Sequence, residues 1–236
     1  MKCSKEKTMR TKQLVALLPM KAHSERVSGK NFRELHGKPL FRWILETLLS
    51  MEEIELIVIN TDAREILAQH GLVNSEQILI RDRKPEICGD HVSMNLVLAD
   101  DLANVPAATY LMTHTTNPLL SSKTIRTAIE RYQAALAENQ ADSLFSVNRF
   151  QTRFYRKDGS PVNHDPTKLL RTQDLETWYE ENSNLYLFSP ESFAKTQARI
   201  GQKPLLFETP KAESFDIDGP EEWEIVEQMA ARSQQR

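Results

Sequence analysis

The chain has 236 residues, 40% hydrophobic and 27% charged, with a formal net charge of −3. A chain of this length can bury a core without staples, and the lack of a basic excess argues against broad nucleic-acid binding. Its two cysteines, Cys3 and Cys88, give neither a disulfide framework nor a zinc-finger spacing and fit a reducing compartment.

The first twelve residues, MKCSKEKTMRTK, are charged and carry no apolar core. Residues 1–12 are therefore expected to be a disordered tail rather than a signal peptide, with 13–236 forming one domain. Apolar runs such as Leu14 to Pro19 are too short to span a bilayer, so no membrane partner is expected and the cytoplasm is the expected location.

Leu14 to Leu18 is an unbroken apolar run, the pattern of a strand buried on both faces. Residues 20–33 are polar and basic, without periodicity, and read as a long loop. Residues 38–51 place Leu40, Ile44, Leu45, Leu48 and Leu49 at helical spacing. Glu55 to Asn60 is a second buried strand, after which Asp62 is placed to cap a helix starting at Ala63. Ile78 to Ile80 is a third strand, Ser93 to Asn104 a helix, Tyr110 to Thr113 a fourth strand, Lys123 to Glu138 a helix and Ser143 to Val147 a fifth strand.

This alternation predicts an α/β domain with a mainly parallel sheet and right-handed crossovers. Ligands in such sheets bind beyond the carboxyl ends of the strands, so the polar segments 20–31, 60–62, 81–84 and 113–117 are expected to converge on one cleft. The alternation stops after 148: residues 149–180 are polar and read as an irregular arm or hairpin. Asn184 to Ser189 is a further strand, Phe215 to Asp218 a short strand or turn, and Glu221 to Arg232 a final helix.

Two segments carry chemistry. The loop 19–31 brings Lys21, Arg26 and Lys30 together with small residues behind a buried strand, which suits a polyphosphate. It is neither a Walker A loop nor a dinucleotide fingerprint. In Asp216-Ile217-Asp218 the carboxylates two residues apart suit a shared Mg²⁺, although an acidic helix start before Pro220 accounts for them as well. His23 and His114 follow strands and can face the cleft; the other histidines show no metal-ligand spacing.

Leu17-Leu18-Pro19-Met20-Lys21-Ala22-His23-Ser24-Glu25-Arg26-Val27-Ser28-Gly29-Lys30-Asn31 resembles the signature loop of the acylneuraminate cytidylyltransferases, roughly IPARGGSKRxPxKN. Pro19, Ser24, Arg26, Lys30 and Asn31 match. Lys21 stands for the first Arg, Ala22-His23 for the two glycines, Glu25 for the first Lys and Ser28 for the second Pro. Further similarities follow in order: Asn60-Thr61-Asp62, Arg83 with Asp90, Thr116-Asn117-Pro118, Arg171 to Leu175, Glu181 to Tyr186, and Phe215 to Asp218. Together they span 14 to 229.

The resemblance implies a Rossmann-like three-layer nucleotidyltransferase fold, a homodimer with an inserted dimerisation arm at 149–180, CTP as donor, an acidic nonulosonate sugar as acceptor and Mg²⁺ as cofactor. By the same resemblance, Lys21, Arg26 and Lys30 would hold the triphosphate, with Ala22, His23 and Ser24 assisting. Asn31 and Arg83 would read the nucleoside. His114, Arg171, Gln173 and Asn182 would face the sugar, Arg171 taking its carboxylate. Asp216 and Asp218 would bind the metal. Alternatives are a 3-deoxy-octulosonate or sugar-1-phosphate nucleotidyltransferase of the same fold, a non-catalytic nucleotide sensor, and a structural module.

Overall fold

A computed structural model describes residues 11–23, 27 and 29–233. The expected tail at 1–12 lies almost wholly outside the described residues.

Strand β1 (Lys12–Leu17) is the centre of the molecule because its apolar side chains have partners on both faces. Leu14 and Ala16 join the cluster containing Phe41, Ile44 and Leu48, while Val15 and Leu17 join the opposite cluster with Leu98 and Phe193. Alternate residues of a strand point to opposite sides, so this composition produces a sheet covered twice. One layer comprises α1 (Leu40–Leu49), α2 (Arg64–Gln69) and α4 (Ser122–Ala137). The other comprises α3 (Met94–Asn104) and α5 (Pro190–Thr196). Ser93, Ser121 and Ser189 cap α3, α4 and α5 by accepting a backbone N–H from the first helical turn.

The remaining main-sheet strands are β4 (Leu56–Thr61), β5 (Ile78–Asp82), β6 (Ala107–Thr113), β7 (Ser143–Phe150), β8 (Trp178–Phe188) and β9 (Pro204–Glu208). The seven strands lie in the order β5-β4-β1-β6-β8-β7-β9. β5, β4, β1 and β6 are mutually parallel. β8 runs antiparallel to both neighbours, and β9 pairs parallel to β7. The mainly parallel α/β sheet expected from the sequence is present, with one reversed strand. Among the described residues no helix is long and apolar enough to cross a membrane.

Several expectations change. The helix read from 38 begins at Leu40, because Lys38–Pro39 forms β3 and pairs with β2 (Glu34–Leu35). His36 and Gly37 turn this hairpin with φ of 50° and 74°, the positive pair that a two-residue turn requires. Asp62 does not cap α2: its carboxylate accepts the Ala22 N–H at 2.7 Å, while Thr61 Oγ1 accepts the Ala63 N–H. Strand β8 begins at Trp178, inside the segment read as an arm, and residues 151–177 between β7 and β8 are irregular apart from an isolated antiparallel bridge of Tyr155 with Pro161 and a 3₁₀ turn at Thr172–Asp174. Phe215–Asp218 forms no strand. It is an irregular segment packed beneath α6 (Pro220–Ser233), where Ile217 is buried with Leu35, Leu40, Trp223 and Val226.

Candidate active site

Beyond the carboxyl ends of β1, β4, β5 and β6 lies a cleft of about 460 Å³. β1 does not diverge from β4 where its regular pairing ends. Leu18 N–H donates to Val58 O at 2.9 Å and Met20 N–H to Asn60 O at 3.1 Å, carrying the chain straight into the cleft wall. Gly29, at φ 61°, then turns the loop into a short 3₁₀ helix that presents Lys30 and Asn31.

Lys30 is nearly buried yet lines the cleft. Its ammonium donates to the carbonyl of Ile217 and lies 3.7 Å from Asp218 Oδ1. Burial alone would disfavour that charge, and the carboxylate and carbonyl compensate it. Asn31 Nδ2 donates to Lys21 O at 2.8 Å, and Asn31 Oδ1 accepts from Thr115 Oγ1 at 2.6 Å. Asn31 thus fastens the first loop to the end of β6. Lys21 forms an ion pair with Asp90 across the cleft mouth.

On the next wall, Arg83 Nε donates to Asn60 Oδ1 at 3.0 Å, and its Nη2 reaches Asn60 O and Met20 O. Burial lowers the Arg83 pKa from its ordinary value, with Asp62 and Asp101 acting against that. Asn60 in turn donates to buried Asp101 at 2.8 Å, and Arg81 donates to Asp101 as well. Burial outweighs these partners and pushes the Asp101 carboxyl up to about 6.

The far wall carries His114 and Arg199. His114 Nε2 lies 3.5 Å from Arg199 Nη1. Burial, then the positive charges of Arg199 and Lys30, drive the imidazole down to about 3, with Asp218 acting the other way. His114 is therefore neutral at neutral pH.

Asp216 and Asp218 both line the cleft, on either side of the buried Ile217. Two hard carboxylates beside a lysine suit Mg²⁺, which is held by one or two carboxylates and completes its shell with phosphate oxygens and water. Among the described residues no group of three or more His, Cys, Asp or Glu could hold an ion without such help.

Lys21, Lys30, Asn31, Arg83, His114, Asp216 and Asp218 are thus brought to one cleft, as the converging strand ends predicted. The Ala22 N–H faces Asp62, and His23 is exposed. Ser24 and Arg26 lie outside the described residues. Arg171 and Gln173 stand away from the cleft on the exposed 3₁₀ turn, Arg171 paired to Asp174 at 2.7 Å. Asn182 is buried with its amide on Asn148 and Thr209, and its neighbour Ser183 lines the cleft instead. Sequence reasoning missed Met94, Ser183 and Arg199 as lining residues. Arg199 follows α5 in a segment with no periodicity and no motif to single it out.

A model of the cytidylyltransferase family matches residues 15–235. The chain belongs to the cytidylyltransferase family. It is 27% identical over 238 residues to the CMP-N,N'-diacetyllegionaminic acid synthase of Legionella pneumophila, covering 94% of this chain and 98% of that one. It is 25% identical to the N-acylneuraminate cytidylyltransferase of Oncorhynchus mykiss, covering 94% of this chain but only 51% of that longer protein. Among solved structures, CMP:2-keto-3-deoxy-manno-octonic acid synthetase matches with a TM-score of 0.64 at 14% identity, covering 94% of this chain and 99% of that one. That likeness shows that this cytidylyltransferase shares the synthetase's fold.

Proposed function

We propose that this cytidylyltransferase transfers CMP from CTP to an acidic nonulosonate sugar. The anomeric hydroxyl oxygen forms a bond to the α-phosphorus, the bond from that phosphorus to the α–β bridging oxygen breaks, and pyrophosphate leaves with the electron pair. The hydroxyl proton passes to water. The observation that carries this reading is the meeting of Lys30 with the carboxylates of Asp216 and Asp218 in a cleft at the strand ends. A cation beside a paired carboxylate set suits a nucleoside triphosphate with its metal. The names of the relatives, which act on legionaminic acid and N-acylneuraminate, support the acceptor class.

In this reading Lys21, Lys30 and Arg26 face the triphosphate, with His23 and Ser24 in the same loop. Ala22 and Asp62 brace that loop, and Asn31 and Arg83 bound the nucleoside side. His114 bounds the acceptor side, and Ser183 replaces Asn182 there. Asp216 and Asp218 would hold Mg²⁺, which when bound neutralises charge on the phosphate oxygens. The rest of the rate enhancement comes from alignment by side chains already locked in hydrogen bonds.

The protein is proposed to act as a homodimer in the cytoplasm. Exposed Leu169, Leu170, Tyr155 and Tyr179 on or beside the arm at 149–180 support an interface there, and Arg171 and Gln173 belong to that arm. The free thiol of Cys88 fits a reducing compartment.

The test is pyrophosphate release from each of the four nucleoside triphosphates with Mg²⁺ and a panel of acidic sugars. Release with CTP and a nonulosonate alone is expected. CTP binding without release for any acceptor would replace transfer with sensing.

A further inference from the structure

Resting on the transfer reading above, we infer that Arg199 is the residue that binds the carboxylate of the acceptor sugar, and so selects acids over neutral sugars. Four observations converge on it. Its side chain is only 20% exposed but lines the cleft, and it also lines an adjoining pocket of about 340 Å³ that opens between α3 and the segment after α5. Arg199 therefore stands where the two spaces join, beside His114.

Second, its guanidinium is oriented in advance. It lies 3.8 Å from the centre of the Tyr186 ring, and its backbone N–H donates to Asn95 Oδ1 at 3.3 Å, which ties its segment to the start of α3. A planar fork held against an aromatic face suits bidentate capture of a carboxylate.

Third, the Nη1 side of its fork is loosely held. Among the described residues Nη1 meets Met112 Sδ at 3.7 Å and His114 Nε2 at 3.5 Å, both weak contacts, while Nη2 is ion-paired to Glu181 at 3.1 Å on the wall of the adjoining pocket. An incoming carboxylate can take over donors that the thioether and imidazole hold loosely.

Fourth, the other cations have different commitments. Arg83 is spent on Asn60 and Met20, Lys21 pairs with Asp90, and Lys30 with Asp218. Arg171, the sequence's candidate for this task, has a side chain 72% exposed and lies outside the cleft of its own chain.

The test compares pyrophosphate release from CTP with N,N'-diacetyllegionaminic acid or N-acetylneuraminic acid, whichever turns over faster, against the same sugar as its C1-carboxamide. It uses the wild type, Arg199→Gln and Arg199→Lys. The wild type is expected to prefer the acid by about 100-fold in kcat/KM. Arg199→Gln should lose most of that preference through a rise of about 30-fold in KM for the acid, with KM for CTP unchanged within about twofold. Arg199→Lys should recover part of it, since charge survives without the fork. A merely structural arginine would move the melting temperature and not the acid-to-amide ratio. If the wild type uses acid and carboxamide equally, or Arg199→Gln keeps the full preference, the anchor is overturned while transfer stands. If Arg199→Gln fails to fold, Arg199→Lys carries the comparison: a full wild-type acid-to-amide ratio in that variant overturns the anchor, and a reduced ratio supports it. A wild type that releases no pyrophosphate with either acid overturns the transfer reading, and the anchor with it.

Discussion

The backbone N–H of Ile217 donates to the carbonyl of Thr116 at 3.0 Å, stitching the acidic segment to the turn that follows β6. The Ile217 side chain is fully buried beneath α6, so the two flanking aspartates are positioned from below as well as from the side. Ile217→Ala removes that buried anchor. It is expected to cost about 2–4 kcal/mol in chemical denaturation. It should also raise the Mg²⁺ concentration needed for half-maximal turnover, although no carboxylate has been altered. A change in stability alone would show that Ile217 is only core.

Asp218 has a side chain 51% exposed, so its loss should leave the fold standing. Asp218→Ala is expected to abolish Mg²⁺-dependent turnover with the protein still folded and its unfolding midpoint lowered slightly, since Lys30 loses its carboxylate partner but keeps the Ile217 carbonyl. Normal turnover in that variant would remove the metal assignment. Lys30→Ala should lower kcat/KM for CTP by about 100-fold or more, the scale of losing a desolvated cation from a phosphate. An unchanged profile would move the triphosphate elsewhere.

Asn60 serves two charged groups at once, giving its amide N–H to Asp101 and its oxygen to Arg83. Asn60→Ala strands both. A loss of about 2–4 kcal/mol is expected, together with a higher KM for CTP as Arg83 loses its brace. Denaturation and CTP titration on the same preparation separate the two effects.

His114 has a folded-state pKa near 3 against an ordinary value of 6.5. Between those limits the unfolded chain takes up a proton that the folded chain refuses. His114 therefore favours folding above pH 6.5 and loses that contribution as pH falls toward 3. Relative to His114→Asn, the wild type should lose about 2–3 kcal/mol on going from pH 7 to pH 4.5. Denaturant midpoints of both proteins at the two pH values measure the difference. Parallel curves would mean that the imidazole is solvated.

The parallel half of the sheet was legible because its strands are apolar on both faces and end in polar turns: Leu14 to Leu18, Glu55 to Asn60 and Tyr110 to Thr113 each point at the cleft. The other half was not. Trp178 to Glu181 extend β8 as an exposed stretch of two aromatics followed by two glutamates, without the alternation that reveals a strand. β9 is a short edge strand whose burial pattern shows one buried side chain, Phe207. The site divides the same way. Lys21, Lys30 and Asn31 sit in a loop whose position betrays its use, whereas Arg199 reaches the cleft only because Gln197, at φ 53°, turns the chain after α5. Asp62 was misassigned because a capping residue and a loop brace have the same local sequence, and only the fold shows which N–H the carboxylate meets.

The packing of α6 over Ile217 also separates the site into an early and a late part of the chain. The loop of Lys30, the wall of Arg83 and the strands behind them all precede residue 209. The hydrophobic floor of the acidic pair, by contrast, is supplied by Trp223, Val226 and Ala230, all later in the chain. The carboxylates thus depend on a helix that contributes none of its described side chains to the cleft, so damage to α6 would be felt as lost competence in a sheet that is otherwise whole.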